Sequence, residues 1–130
     1  RGARFFPTAG RGGIDFANSM LRNAGAPEVP DEYLQFLAIT DGMSAGLVEF
    51  YGAKAKERAL GAYAPPDLFL ANKDRRELFP ERAILGSAAL FLFAWDAAAG
   101  GYFALARPTL APARFFPTLA ELFAFAKEQI

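Results

Sequence analysis

The chain is 130 residues long, 53% hydrophobic and 22% charged, with 14 phenylalanines and with 14 basic residues balanced by 14 acidic ones. That length fits one domain, the apolar fraction excludes a disordered tail, and the charge balance leaves no basic stripe to neutralise a nucleic-acid backbone. Cysteine and histidine are both absent, which removes disulfides, thiolate nucleophiles, thiolate metal sites and the usual proton carrier near neutral pH.

In chain order, RGARFFPTAGRGG at 1–13 reads as an irregular, solvated arm, because Gly2, Pro7, Gly10, Gly12 and Gly13 interrupt any regular pattern. It lacks the apolar run of a secretion signal and begins without methionine, so the chain is expected to be trimmed or cut from something larger. From Ile14 the period becomes helical through Phe16, Ala17, Met20, Leu21 and Ala24, with Gly25 as the stop.

The segment VPDEYLQFLAITDG follows. Pro30 suits a first helical residue, and Asp31 and Glu32 complement the positive end of the helix. Tyr33, Phe36, Leu37 and Thr40 share a face, the first three are read as core residues, and Asp41-Gly42 ends the helix. GLVEFYG at 46–52 is a glycine-bounded strand with Tyr51 at its end, and Pro65-Pro66 closes the mixed stretch after it. Asp67 opens a short helix over 67–78 that carries Arg75 and Arg76.

Three β-type runs come next: 82–88, 89–96 and 101–107, the last two joined by AAAG into a hairpin. A further strand, 109–116, is limited by Pro112 to an edge or a bulge. Thr118 and Glu121 then form the S/T-x-x-E box that starts a helix through Leu119, Leu122, Phe123 and Ala126. The hexapeptide ARFFPT occurs at 3–8 and again at 113–118. Its surroundings differ, so the second copy is expected to be strand-then-helix and the first irregular, an echo rather than a repeat architecture.

In ALFLFAWD both alternating sets are apolar: Leu90, Leu92 and Ala94 against Phe91, Phe93 and Trp95. Either helices cover both faces of this sheet or one face stays open for a partner. Cover is expected to thin near the AAAG loop, beside Trp95 and Asp96. The candidate partner-contact residues are therefore Tyr51, Arg75, Arg76, Trp95, Asp96 and Tyr102. No nucleophile elbow, phosphate loop, zinc motif or calcium loop occurs, so the sequence assigns no catalytic, cofactor-binding or metal-ligating residue.

The 29–42 segment resembles the signature of the SUKH superfamily, the Smi/Knr-type domains, in which a pattern near (L/I)P-x-x-Y-x-x-F-L-x-x-x-(N/D)-G opens the conserved region. Val29, Pro30, Tyr33, Phe36, Leu37, Asp41 and Gly42 match it position by position. LVEFYG, NKDRREL, AILGS, FAWDAAAGGYFALAR and ARFFPTLAELFAF resemble later family features in order, so the likeness runs from about Ile14 to the end, nearest the YrhA-like bacterial branch. Ser87-Ala88-Ala89 stands where many members carry acidic residues.

The resemblance implies an immunity protein that binds and neutralises a cognate bacterial toxin domain in the cytoplasm, with no catalytic residues. A regulatory protein-interaction module of the same superfamily is the alternative, and a small carboxylate-dependent enzyme a more distant one. The expected fold is a single α+β domain over 14–130, with a central, mostly antiparallel sheet of about five strands and about four helices. The expected partner is a protein; nucleic acid, membrane and cofactor are not expected.

Overall fold

The computed structural model describes residues 4, 5, 7, 10–53, 67–73 and 79–130. The chain forms a single α+β domain, with one antiparallel sheet and four helices among the described residues. The strands are β1 (Arg4–Phe5), β2 (Met43–Ala45), β3 (Val48–Phe50), β4 (Arg82–Ser87), β5 (Phe91–Asp96), β6 (Gly101–Ala106) and β7 (Ala111–Phe116). The helices are α1 (Gly10–Asn23), α2 (Asp31–Ile39), α3 (Leu68–Asn72) and α4 (Leu119–Lys127). The sheet order is the chain order, β1 to β7, a meander in which every neighbour is antiparallel.

The seven strands among the described residues exceed the expected number of about five because two short ones escape sequence patterns. β1 pairs Arg4 with Ser44 and Phe5 with Met43, and β2 pairs with β3 across a turn at Gly46 and Leu47. Met-Ser-Ala carries no β-branched or aromatic signal, so the strand expected over 46–52 resolves into that turn followed by β3. The irregular arm expected at 1–13 is accordingly shortened. Arg4–Phe5 is strand, and α1 begins at Gly10 rather than Ile14. Each glycine inside a helix costs roughly 1 kcal/mol relative to alanine. Here the burial of Ala17 and Leu21 and the contacts of α1 with α2 and α3 offset that cost. The two copies of ARFFPT thus place their Arg-Phe pairs on opposite edges of the sheet, in β1 and β7.

Pro30 is the residue before α2 rather than its first turn, extended at φ −74° and ψ 164°, and its carbonyl accepts from the N–H groups of Tyr33 and Leu34. The Asp-Gly stop does more than end the helix. Gly42 takes φ 95°, and Asp41 is buried, with its carboxylate accepting from the Ala53 N–H at 2.6 Å. A Cβ on Gly42 would lie 2.7 Å from the Phe50 carbonyl oxygen. Gly42→Ala is therefore expected to destabilise by about 1–3 kcal/mol, read as a lower urea midpoint at unchanged slope.

The hairpin of β5 and β6 forms as expected, with Trp95 opposite Tyr102 and Asp96 opposite Gly101. β5 starts at Phe91 instead of Ala89, since Ala89 and Leu90 form the turn from β4. Pro112 sits on the edge strand at the register shift between Ala104 and Leu105, in keeping with the edge or bulge expected from sequence. Thr118 caps α4, its hydroxyl accepting from the Glu121 N–H at 3.2 Å and donating to the Glu121 carboxylate at 3.1 Å. The box thus closes through the hydroxyl rather than through the Thr118 backbone.

One sheet face carries Phe50, Phe91, Phe93, Tyr102 and Phe116, in register across the strands. α2 and α4 pack on it through an aromatic cluster: Phe50 stacks on Phe93 at 5.3 Å, and Phe123 meets Phe50 edge-on at 4.7 Å and Phe36 at 5.1 Å. Phe125 meets Phe91 and Phe116. On the other face Ala94 and Leu105 are fully buried, while Phe103 and Leu92 are half-buried. The helix expected over 67–78 appears as Leu68–Asn72, capped by Asp67, whose carboxylate accepts from the Leu70 N–H at 2.7 Å; its remaining span lies largely outside the described residues.

Candidate functional site

The β2–β3 turn separates two clefts. Gly46 takes the left-handed conformation, φ 59°, and lets the chain reverse within two residues. Leu47 beside it stands 70% exposed. A Cβ on Gly46 would reach Ile130 at 3.4 Å, so the turn lies against the residues that follow α4.

On one side lies an apolar cleft of about 300 Å³. Its floor is Phe36, Val48, Phe50 and Phe123, and its rim is Phe5, Met43, Lys127 and Ile130. Phe5 and Ile130 are mostly exposed. Chain positions from opposite ends of the sequence meet here because β1 adds to the β2 edge while α4 crosses the same face.

On the other side lies a cleft of about 520 Å³ with mixed lining: Leu47, Glu49, Tyr51, Ser87, Leu92 and Arg107. The Tyr51 phenol donates to the Ser87 hydroxyl at 3.2 Å, and Arg107 donates to the Ala88 carbonyl at 2.9 Å. Burial pushes the Tyr51 pKa up, against the opposing hydrogen bond with Ser87, so the phenol stays protonated at neutral pH. One acid, one base and two hydroxyls beside two leucines make a surface suited to a polypeptide of mixed character.

The contact residues expected from sequence are scattered. Tyr51 lines the mixed cleft. Trp95 is half-buried and packs on Tyr102 at 5.2 Å. Asp96 is buried: it accepts from Arg82 at 3.0 Å and from the Ala99 N–H at 2.9 Å, which ties β4 to the hairpin turn. Tyr102 is fully buried and donates to Glu32 at 2.9 Å, and the same Glu32 oxygen accepts from the Leu119 N–H at 3.2 Å. Burial, with the Glu32 carboxylate beside it, pushes the Tyr102 phenol far above its ordinary value. Asp96 and Tyr102, expected as contact residues, sit in the framework instead of on the surface: the pairing of β4 with β5 and the seating of α2 and α4 use their polar atoms inside the chain. Arg75 and Arg76 lie outside the described residues.

Within the 29–42 motif, Tyr33 is buried and donates to the carbonyls of Tyr51 at 2.5 Å and Leu85 at 3.2 Å, while Leu37 is core. Burial pushes the Tyr33 phenol well up. Phe36, read as core, also floors the apolar cleft. Sequence patterns did not single out Phe5, Met43, Leu47 or Lys127. A repeated Arg-Phe pair and a cation in the last helical turn were the available signals, and neither pointed to a cleft by itself.

Among the described residues no group of three acidic side chains could hold a metal ion, and no helix is long and apolar enough to cross a membrane. No protein-family model matches the chain, and no curated protein matches it.

Proposed function

We propose that this chain is a stoichiometric protein-binding domain, and that its partner is a bacterial toxin domain which it holds and neutralises in the cytoplasm. The observation that carries the binding reading is the exposed Leu47 on the mixed cleft, together with an apolar cleft lined from the opposite face of β3 by Val48 and Phe50. Apolar side chains gathered at the surface of a small domain mark interaction sites, whereas singly scattered ones need no explanation. The likeness of residues 29–42 to the SUKH signature supports the toxin as the class of partner.

The balanced charge also bears on the mode of binding. Fourteen positive and fourteen negative residues give little long-range steering. Affinity then rests on buried anchors and fit, which fits two preformed clefts better than a charged plate.

The test is co-expression with the product of the adjacent reading frame, followed by co-purification and growth rescue. Rescue with a complex of equal stoichiometry is the expected result. Leu47→Asp changes an exposed turn residue, so it is expected to keep the thermal midpoint within a few degrees while reducing affinity by tenfold or more, about 1.4 kcal/mol. Absence of both rescue and co-purification counts against a toxin partner. Complex formation with a neighbour that does not impair growth favours the regulatory-module alternative.

A further inference from the structure

The apolar cleft has a floor of rings already locked together, with Phe123 edge-on to both Phe50 and Phe36. Its volume, about 300 Å³, lies at the small end of ligand sites. That suits one or two large apolar side chains better than an extended cofactor. A rigid, preformed apolar pocket is where a hot-spot anchor gains most, since neither the pocket nor a ring-bearing anchor has much freedom to lose.

Among the described residues the lining holds one charged side chain, Lys127. It sits in the last turn of α4, is exposed, and forms no ion pair with any described residue. Helix-end electrostatics favour a cation at that position, yet they do not require its side chain to rim an apolar opening. An ammonium beside an apolar mouth complements an anchor with a carboxylate next to it, as the partially dehydrated rim strengthens the attraction.

We infer that this cleft receives a segment of the partner protein in which a large aliphatic or aromatic side chain inserts over Phe123 while an adjacent Asp or Glu pairs with Lys127. The inference rests on the protein-binding reading above and deepens it by naming the chemistry of the partner's docking segment.

The experiment uses a random dodecapeptide library displayed on phage and selected on the full chain. The best peptide is then synthesised and titrated by fluorescence anisotropy. Enriched peptides are expected to place a large apolar residue within a position or two of an acid. Lys127→Glu is expected to weaken the best peptide at least about tenfold, Lys127→Arg to leave it within about twofold, and a peptide with its acid changed to Lys to regain affinity on Lys127→Glu. Ile130→Asp, an exposed rim change, should weaken binding, and Leu90→Asp, at a turn remote from the cleft, should not. No enrichment, enrichment without an acidic bias, or indifference to Lys127→Glu overturns the inference, as does self-association that fills the cleft with a second copy in sedimentation.

The selection needs no toxin, so the two readings fail separately. Peptide binding with no growth rescue by the wild type removes the toxin and leaves the docking segment. Growth rescue with no peptide of this character removes the docking segment and leaves the toxin.

Discussion

Asn72→Ala is expected to lower the free energy of unfolding by about 2–6 kcal/mol, the sum of two buried backbone groups left without partners at about 1–3 kcal/mol each. Asn72 is fully buried at the end of α3. Its amide group donates to the Ile84 carbonyl at 2.9 Å and accepts from the Ile84 N–H at 2.7 Å. β3 pairs with β4 only at Glu49–Ser87 and Phe50–Gly86, so β4 runs on past its neighbour. The carboxamide stands in for the missing strand, presenting one donor and one acceptor as a peptide unit does. It also donates to the Leu68 carbonyl at 2.9 Å, which fixes its rotamer on the helix. Aspartate cannot take its place: Asn72→Asp keeps the acceptor but turns a negative oxygen toward two carbonyls, and is expected to be at least as damaging as alanine. A domain of this kind is stable by only about 5–15 kcal/mol, so urea unfolding will read the loss clearly. A change under about 0.5 kcal/mol would show that water or a local shift satisfies Ile84 instead.

The second large effect falls on Arg82 and Asp96. The pair is buried and bonded at 3.0 Å, with the guanidinium held between the rings of Phe79 and Phe103 at 4.6 and 5.1 Å. Removing Arg82 strands the buried Asp96 carboxylate, and breaking a buried pair in this way costs about 3–5 kcal/mol. Arg82→Met should destabilise by that amount, and Arg82→Met with Asp96→Asn together by less than the sum of the two single changes.

The pH dependence of Asp96 has a definite sign. Burial would raise its pKa, but the Ala99 N–H and the Arg82 guanidinium outweigh that and hold the carboxyl below its usual range. A depressed folded value means that Asp96 contributes stability above its unfolded pKa of about 3.9, lost as pH falls through the folded value. Wild-type stability should therefore decline more steeply below pH ~4 than that of Asp96→Asn. Parallel curves would place the acid-sensitive contribution elsewhere.

Asp96 also shows where sequence reading stops. Its place beside the AAAG turn was legible, and a turn suggests exposure. Its partner Arg82 lies opposite it on β4 through the register of β4 and β5, and no local pattern reports that register. Tyr102 fails for a related reason: alternation assigns it to a face with Trp95 and Phe93, but not whether Glu32 from α2 reaches that face. By contrast, α2, the hairpin, the edge placement of Pro112 and the Thr118 cap were readable, because each depends on residues within one turn or one strand pair.

The candidate site was the least legible part. Phe5, Phe36 and Phe123 meet in one cleft only after a meander has brought the first strand beside α4. Periodicity marks Phe36 and Phe123 as core and leaves Phe5 in an arm. Leu47 is hidden for another reason: the run GLVEFYG reads as a continuous strand, and the turn at Gly46 and Leu47 follows from the pairing of Ala45 with Val48.

The most direct test of the binding account is a calorimetric titration of the chain with the product of the adjacent reading frame, comparing the wild type with Leu47→Asp and Trp95→Ala. The account predicts one-to-one binding that Leu47→Asp weakens at least about tenfold while Trp95→Ala leaves it within about threefold. No heat of binding with a folded, growth-inhibiting toxin domain, or equal affinity for all three proteins, would contradict it.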